Sequence, residues 1–223
     1  MPALTTATHS LIDELCAVPS AGPLEGLGDT LAPVIDVALA GLPPDEQASL
    51  ALCDSSTEEL VPLCRAAALL RDLGKGRVIS FSPKVFIPLT RLCRDFCGYC
   101  TFRQSPQEAD RLYMSGEEVL EVARAGQRLG CTEALFTLGE RPENRYEEAA
   151  EWLRGHGHRT TLGYLTEMCA LVLEETSLLP HGNPGTMSRR EMASLQAVNV
   201  SMGVMLEALS QRLCLEGGPH HLA

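Results

Sequence analysis

The hydrophobic pattern of this chain changes near Val78. Before that point Leu60, Leu63, Cys64, Ala67 and Leu70 recur at helical spacing, which predicts an amphipathic helix with that stripe against a core. Ser56 or Thr57 caps it, Glu58 and Glu59 complement the dipole of its first turn, and Gly74 and Gly76 stop it. Residues 1–45 are weakly patterned and punctuated by Pro and Gly, and short helices are predicted over 9–17, 31–40 and 46–53. After Val78 strands and helices alternate. Residues 85–90 read as a short buried strand, and Pro88, which cannot donate to a ladder, puts that strand at an edge. Ser115 and Glu118 form a capping box. The helix that follows turns Val119, Val122, Ala123, Gly126 and Leu129 inward and ends at Gly130. Residues 134–138 are an apolar strand leading to Gly139 and Glu140.

Further helices are predicted over 145–154 and 162–175, with a loop at 155–158. A short strand at 177–179 runs into a turn-rich loop over 180–185 that carries His181 and Asn183. Ser188 and Glu191 make a second capping box, and 197–206 reads as a fourth strand. Strand starts near 85, 134, 177 and 197, each separated by helix, imply right-handed crossovers and a parallel sheet. The loops after such strands carry the chemistry, so the segments after 90, after 138 and around His181 are expected at one rim.

The segment after the first strand holds Cys93, Cys97 and Cys100 in a C-x3-C-x2-C spacing, with Tyr99 just before the last of them. Thiolates this close together on a loop suit an iron–sulfur cluster. Three thiolates leave one iron of a cubane cluster open to another ligand. A zinc site is the competing reading, but zinc sites usually combine two paired half-sites, and Cys97 and Cys100 have no second C-x2-C. The other cysteines, Cys16, Cys53, Cys64, Cys131, Cys169 and Cys214, are scattered, as small buried hydrophobes are. The adjacent His220 and His221 lack neighbouring ligands for a metal pair.

Composition narrows the function classes. A net charge of −11 argues against a nucleic-acid partner, which needs a basic face. No apolar run approaches the roughly 20 residues that span a bilayer, and no signal peptide is visible. Nine cysteines without a disulfide-like framework suit reduced thiols in the cytoplasm. There is no G-x-G-x-x-G after a strand and no Walker A sequence. At 45 % hydrophobic content, 223 residues bury one core plus an appendage. We read 1–77 as a helical N-terminal extension and 78–223 as the core domain.

The cysteine spacing with its preceding aromatic resembles the radical S-adenosylmethionine (SAM) superfamily. There the open iron binds the amino and carboxylate groups of SAM, and an electron from the cluster releases a 5′-deoxyadenosyl radical. The stretch from Lys84 to Phe102 resembles the first radical SAM module of 7,8-didemethyl-8-hydroxy-5-deazariboflavin (FO) synthase. Residues 134–143, 179–188 and 199–207, and then 212–221, agree with that family in order. The resemblance implies a partial (β/α) barrel of radical SAM type, an α/β fold with about four of six strand–helix units present. An incomplete C-terminus is therefore expected.

The resemblance also implies cofactors, a 4Fe–4S cluster and SAM. It carries Cys93, Cys97 and Cys100 over as cluster ligands and places Tyr99 near the adenine of SAM. Gly139 and Glu140 stand where the superfamily has its Gly-Gly-Glu turn, with Leu138 in place of the first Gly. Ser201 and Glu207 are either SAM contacts or a solvated rim. His181 and Asn183 either meet substrate or stabilise their loop. Arg91, Arg94 and Arg103 either ease the thiolate charge or form a solvated face. The reaction implied is radical ring closure with loss of ammonia in coenzyme F420 biosynthesis. Its substrate is 5-amino-5-(4-hydroxybenzyl)-6-(D-ribitylimino)-5-deazauracil, supplied by a partner transferase module, and it needs an electron donor. Two alternatives stay open. One is that partner module, which transfers the tyrosine-derived 4-hydroxybenzyl group to 5-amino-6-(D-ribitylamino)uracil. The other is a catalytically inert, truncated iron–sulfur protein.

Overall fold

The computed structural model describes residues 25–206 and 208–222, so the helix expected over 9–17 and the candidate Glu207 lie outside the described residues. The chain divides into two compact units, one ending at Ser80 and one beginning at Phe81.

The first unit contains α1 (Ala32–Leu39), α2 (Glu46–Cys53) and α3 (Thr57–Lys75). Ser56 is the cap of α3, and its side chain and that of Glu59 close a reciprocal capping box. Leu31, Ile35, Val61 and Ala66 are buried here. The inner side of α3 is therefore Val61, Pro62 and Ala66, while Leu60 and Ala67 are exposed. The difference from the expected stripe is about one residue of rotation. Pro62 packs under the turn at Gly26, and the Glu59 carboxylate accepts the Gly28 N–H, which together set the rotation.

The second unit runs β1 (Lys84–Thr90), α4 (Gly116–Arg128), β2 (Glu133–Leu138), α5 (Glu147–Gly155), α6 (Thr161–Glu175), β3 (Leu179–Asn183), α7 (Arg189–Gln196) and β4 (Ser201–Met202). The four strands form one parallel sheet in the order β1-β2-β3-β4. It is a partial parallel barrel, as expected, and β1 with its Pro88 lies at an edge. Val85, Ile87 and Leu89 of β1 and Phe136 of β2 face the helices. Val85 sits so close to α4 that a Cβ at Gly126 would stand 2.5 Å from its Cβ. Leu153, Leu165, Val172 and Leu195 complete that core, all at 1 % exposure or less. By strand alternation Lys84, Phe86 and Pro88 project from the opposite, concave face. Their register partners Glu133, Leu135 and Thr137 share it.

Three boundaries differ from expectation. Helix α4 ends at Arg128, and Leu129 is 85 % exposed rather than inward, because Gly130 turns the chain with φ +79°. Strand β3 occupies 179–183, where the composition reads as a loop. Pairing to β2 on one side and β4 on the other holds Pro180, Gly182 and Asn183 extended against their turn preference. Strand β4 keeps only Ser201 and Met202, since β3 offers it only His181 and Gly182 as register partners. Among the described residues no helix is long and apolar enough to cross a membrane.

Candidate functional site: a three-thiol cavity at the end of the sheet

Beyond β1 the chain leaves the sheet and returns. The loop is closed at its neck by the Leu92–Gln104 bridge and by the Gln104 N–H to the Arg91 carbonyl, 2.9 Å. Inside it the Cys100 N–H bonds the Cys97 carbonyl at 3.1 Å, a tight turn that brings two thiols to one side. The guanidinium groups of Arg103 and Arg145 each lie 3.9 Å from the Phe96 ring centre. The segment at 219–222 straps the loop from outside. Phe96 N–H reaches the Leu222 carbonyl at 3.0 Å, Gly98 N–H reaches the Pro219 carbonyl at 2.7 Å, and His220 meets Tyr99 edge-on at 5.3 Å.

Cys93, Cys97 and Cys100 line one cavity of about 290 Å³. Tyr99, Gly139 and Glu140 line it too, so the structure brings together six of the residues singled out in the sequence. Asn183 joins them from the end of β3. His181 does not. It lies two residues down the same strand, on the concave face near Glu133, because β3 extends through it. Ser201 is its register partner and also stays off the cavity lining, whereas Gly203 is on it. Of the arginines, Arg103 lines the cavity and Arg94 pairs with Glu140. Arg91 donates to the Phe102 carbonyl instead.

Gly139 decides how close β2 comes to the cysteine loop. A Cβ there would overlap the Leu92 carbonyl oxygen and stand 2.6 Å from the Cβ of Cys93. That approach lets the Glu140 N–H donate to the Cys93 sulfur at 3.2 Å, beside a second N–H from Asp95 at 3.4 Å. The Glu140 carboxylate is held by Arg94 at 2.7 Å and by the Thr186 hydroxyl, and it rests on Gly185, whose φ is +80°. Burial pushes the Cys93 thiol up. Cys97 is raised by burial first, then by Asp95 and the two other thiols. The cavity therefore penalises bare thiolates and favours a group that brings positive charge to them.

Sequence reasoning missed Asp95, Gly185, Thr186, Gly203 and the placement of His220. Gly185 was visible as the glycine that closes a turn-rich loop, a place where a backbone can approach closely. The others had no local signal.

Residues 87–221 match the family described as the radical SAM superfamily. The chain belongs to that superfamily. A 7,8-didemethyl-8-hydroxy-5-deazariboflavin synthase from Methanopyrus kandleri is 54 % identical over 143 residues, covering 64 % of this chain and 43 % of the relative. An FO synthase from Streptomyces coelicolor is 44 % identical over 218 residues, covering 92 % of this chain and 25 % of the relative. The chain thus spans less than half the length of either. Among solved structures, the FeFe-hydrogenase maturase HydG from Carboxydothermus hydrogenoformans superposes with a TM-score of 0.65 at 21 % identity. It covers 83 % of this chain and 40 % of that one. Methylornithine synthase (PylB) superposes with a TM-score of 0.60 at 20 % identity, covering 81 % and 49 %. These two likenesses show the fold.

Radical SAM proteins use a 4Fe–4S cluster and SAM. The donor set here fits such a group. Three thiols line one cavity, one of them already accepts two N–H bonds, and a glycine lets the end of β2 meet their loop. Among the described residues no three His, Cys, Asp or Glu side chains converge closely enough for a single metal ion.

Proposed function

We propose that this chain performs the ring-closing step of deazaflavin formation, releasing ammonia to give 7,8-didemethyl-8-hydroxy-5-deazariboflavin. The observation that carries the reading is the 54 % identity to the Methanopyrus kandleri synthase across the segment that contains the cysteine loop. In this reading Cys93, Cys97 and Cys100 bind the cluster as thiolates. When bound, the cluster supplies the electron that cleaves SAM to a 5′-deoxyadenosyl radical. The chain's own residues then have distinct tasks. Gly139 brings the end of β2 against Cys93, Glu140 accepts hydrogen bonds from the SAM ammonium, and Tyr99 lies against the adenine. Arg94 and Thr186 hold the Glu140 carboxylate toward the cavity. Asn183 and Gly203 line the same cavity, and in this reading the substrate lies beyond them over the concave face of the sheet.

The test is anaerobic reconstitution with iron and sulfide, then incubation with SAM, a strong reductant and the 4-hydroxybenzyl adduct. Fluorescent deazaflavin and one equivalent of ammonia are expected. Product from tyrosine and 5-amino-6-(D-ribitylamino)uracil alone would assign the partner transferase reaction instead. Deoxyadenosine without either product, where an authentic synthase succeeds, would refute both.

A further inference from the structure

Lys84, Glu133 and His181 come from the first residue of β1, the first residue of β2 and the middle of β3, and all project from the concave face. Lys84 and Ser82 both hydrogen-bond the Glu133 carboxylate. Its third neighbour is the His181 imidazole, with Nδ1 3.4 Å from Oε2. The three side chains are 26 %, 19 % and 20 % exposed, half-sunk in the sheet floor and open above. The hydrogen bonds from Lys84 and Ser82 hold the Glu133 carboxyl at about 2, so it is anionic throughout neutral pH. His181 is two residues before Asn183, about 7 Å along the strand from the wall of the three-thiol cavity. On the His181 rung the same face presents Phe86 at 60 % exposure, Leu135 and Ser201.

We propose that Lys84, Glu133 and His181 form a proton relay on the concave face, with His181 Nε2 exchanging a proton with the bound substrate. This rests on the reading that substrate occupies that face. A structural role does not account for the arrangement. Lys84 and Glu133 already neutralise each other, and the imidazole adds a second polar group to a rung that holds Phe86, Leu135 and Ser201. A carboxylate on Nδ1 fixes the tautomer and, among the described residues, Nε2 has no hydrogen-bond partner, which is how a histidine is prepared as a base. The exposed Phe86 ring, on the far side of Leu135 along the same rung, offers a flat apolar bed, so the ligand class is a planar ring bearing dissociable N–H or O–H groups. The balance closes within the proposed reaction. A substrate N–H or O–H gives its proton to Nε2, Glu133 compensates the imidazolium, and the proton leaves on the departing amine.

The test uses the reconstituted full chain with SAM, reductant and the 4-hydroxybenzyl adduct, reading deazaflavin and deoxyadenosine separately. His181→Gln should leave deoxyadenosine formation within twofold. It should lower deazaflavin kcat about a hundredfold, the low end for acid–base catalysis, with KM little changed. Imidazole added to His181→Ala should restore part of the product rate, which a structural role would not allow. Unchanged deazaflavin kcat, equal loss of both readouts, or no imidazole rescue overturns the relay. If the wild type itself makes no deazaflavin, the proposed function fails, and the relay is decided without substrate by nitrogen NMR of His181. A proton on Nδ1 that is redistributed in Glu133→Gln supports it, and a proton on Nε2 in the wild type overturns it.

Discussion

Replacing Gly139 by Ala tests whether the contact between β2 and the cysteine loop builds the cluster site. The added methyl would overlap the Leu92 carbonyl oxygen and sit 2.6 Å from the Cys93 Cβ. Ordinary contact begins near 3.4 Å, so strand end and loop must part by about 0.8 Å at that carbon and further at the carbonyl. Both obstacles belong to the loop's own backbone or the root of a side chain, so no flexible tip can swing away. Overpacking of this kind costs about 1–3 kcal/mol. Separation also weakens the Glu140 N–H to Cys93 sulfur bond and the Arg94 N–H to Glu140 carbonyl bond, at about 0.5–1.5 kcal/mol each. The total is roughly 2–6 kcal/mol, or a fall in Tm of about 4–24 °C in a chain of this size. Gly155→Ala is the control. It ends α5 with nothing within 4 Å of its added carbon and should shift stability by less than about 1 kcal/mol, in favour of the fold. The assays are thermal unfolding by circular dichroism and iron per chain after anaerobic reconstitution. Gly139→Ala is expected to lose at least two thirds of its iron. Wild-type iron content and Tm in that variant would show that the close approach does not shape the site.

Single Ala replacements of Cys93, Cys97 or Cys100 should each abolish the visible absorbance of the cluster, while Cys53→Ala, an exposed cysteine of the first unit, should retain it. Glu140→Gln should keep the cluster but weaken SAM binding about ten- to a hundredfold by calorimetry, the value of a charge-assisted bond; unchanged affinity would remove Glu140 from that role. The Arg141 guanidinium and the Ser188 cap hold Glu191 at about 2, below its usual value, so its stabilising contribution is complete above about pH 4.5 and is lost as pH falls toward 2. Glu191→Gln should flatten that part of the Tm–pH curve, and an unaltered curve would count against the Arg141 pair.

What the sequence makes legible depends on how local the cause is. Ser56, Ser115 and Ser188 announce helix starts because each cap is closed by a glutamate three residues away. The cysteine loop is legible for the same reason, since its donor set lies within eight residues. Strand β3 is not. Pro180, His181, Gly182 and Asn183 have turn chemistry, and only the neighbouring strands hold them extended. That one misreading places His181 at a rim and hides its partnership with Glu133, which is 48 residues away. Leu129 fails in the opposite way, since its helical spacing is right but the helix has ended before it. Gly203 and His220 reach the cavity only through tertiary folding, and nothing near them in the chain says so.

The strap across the cysteine loop has a consequence for the order of events during synthesis. Phe96 and Gly98 find the acceptors for their N–H groups more than 120 residues later, at Leu222 and Pro219. A nascent chain that has just displayed its three cysteines still lacks both acceptors and the His220 ring against Tyr99. Until those residues leave the ribosome, these two amides of the loop are satisfied by water. The cysteine loop therefore reaches its final hydrogen bonding only after translation of this region.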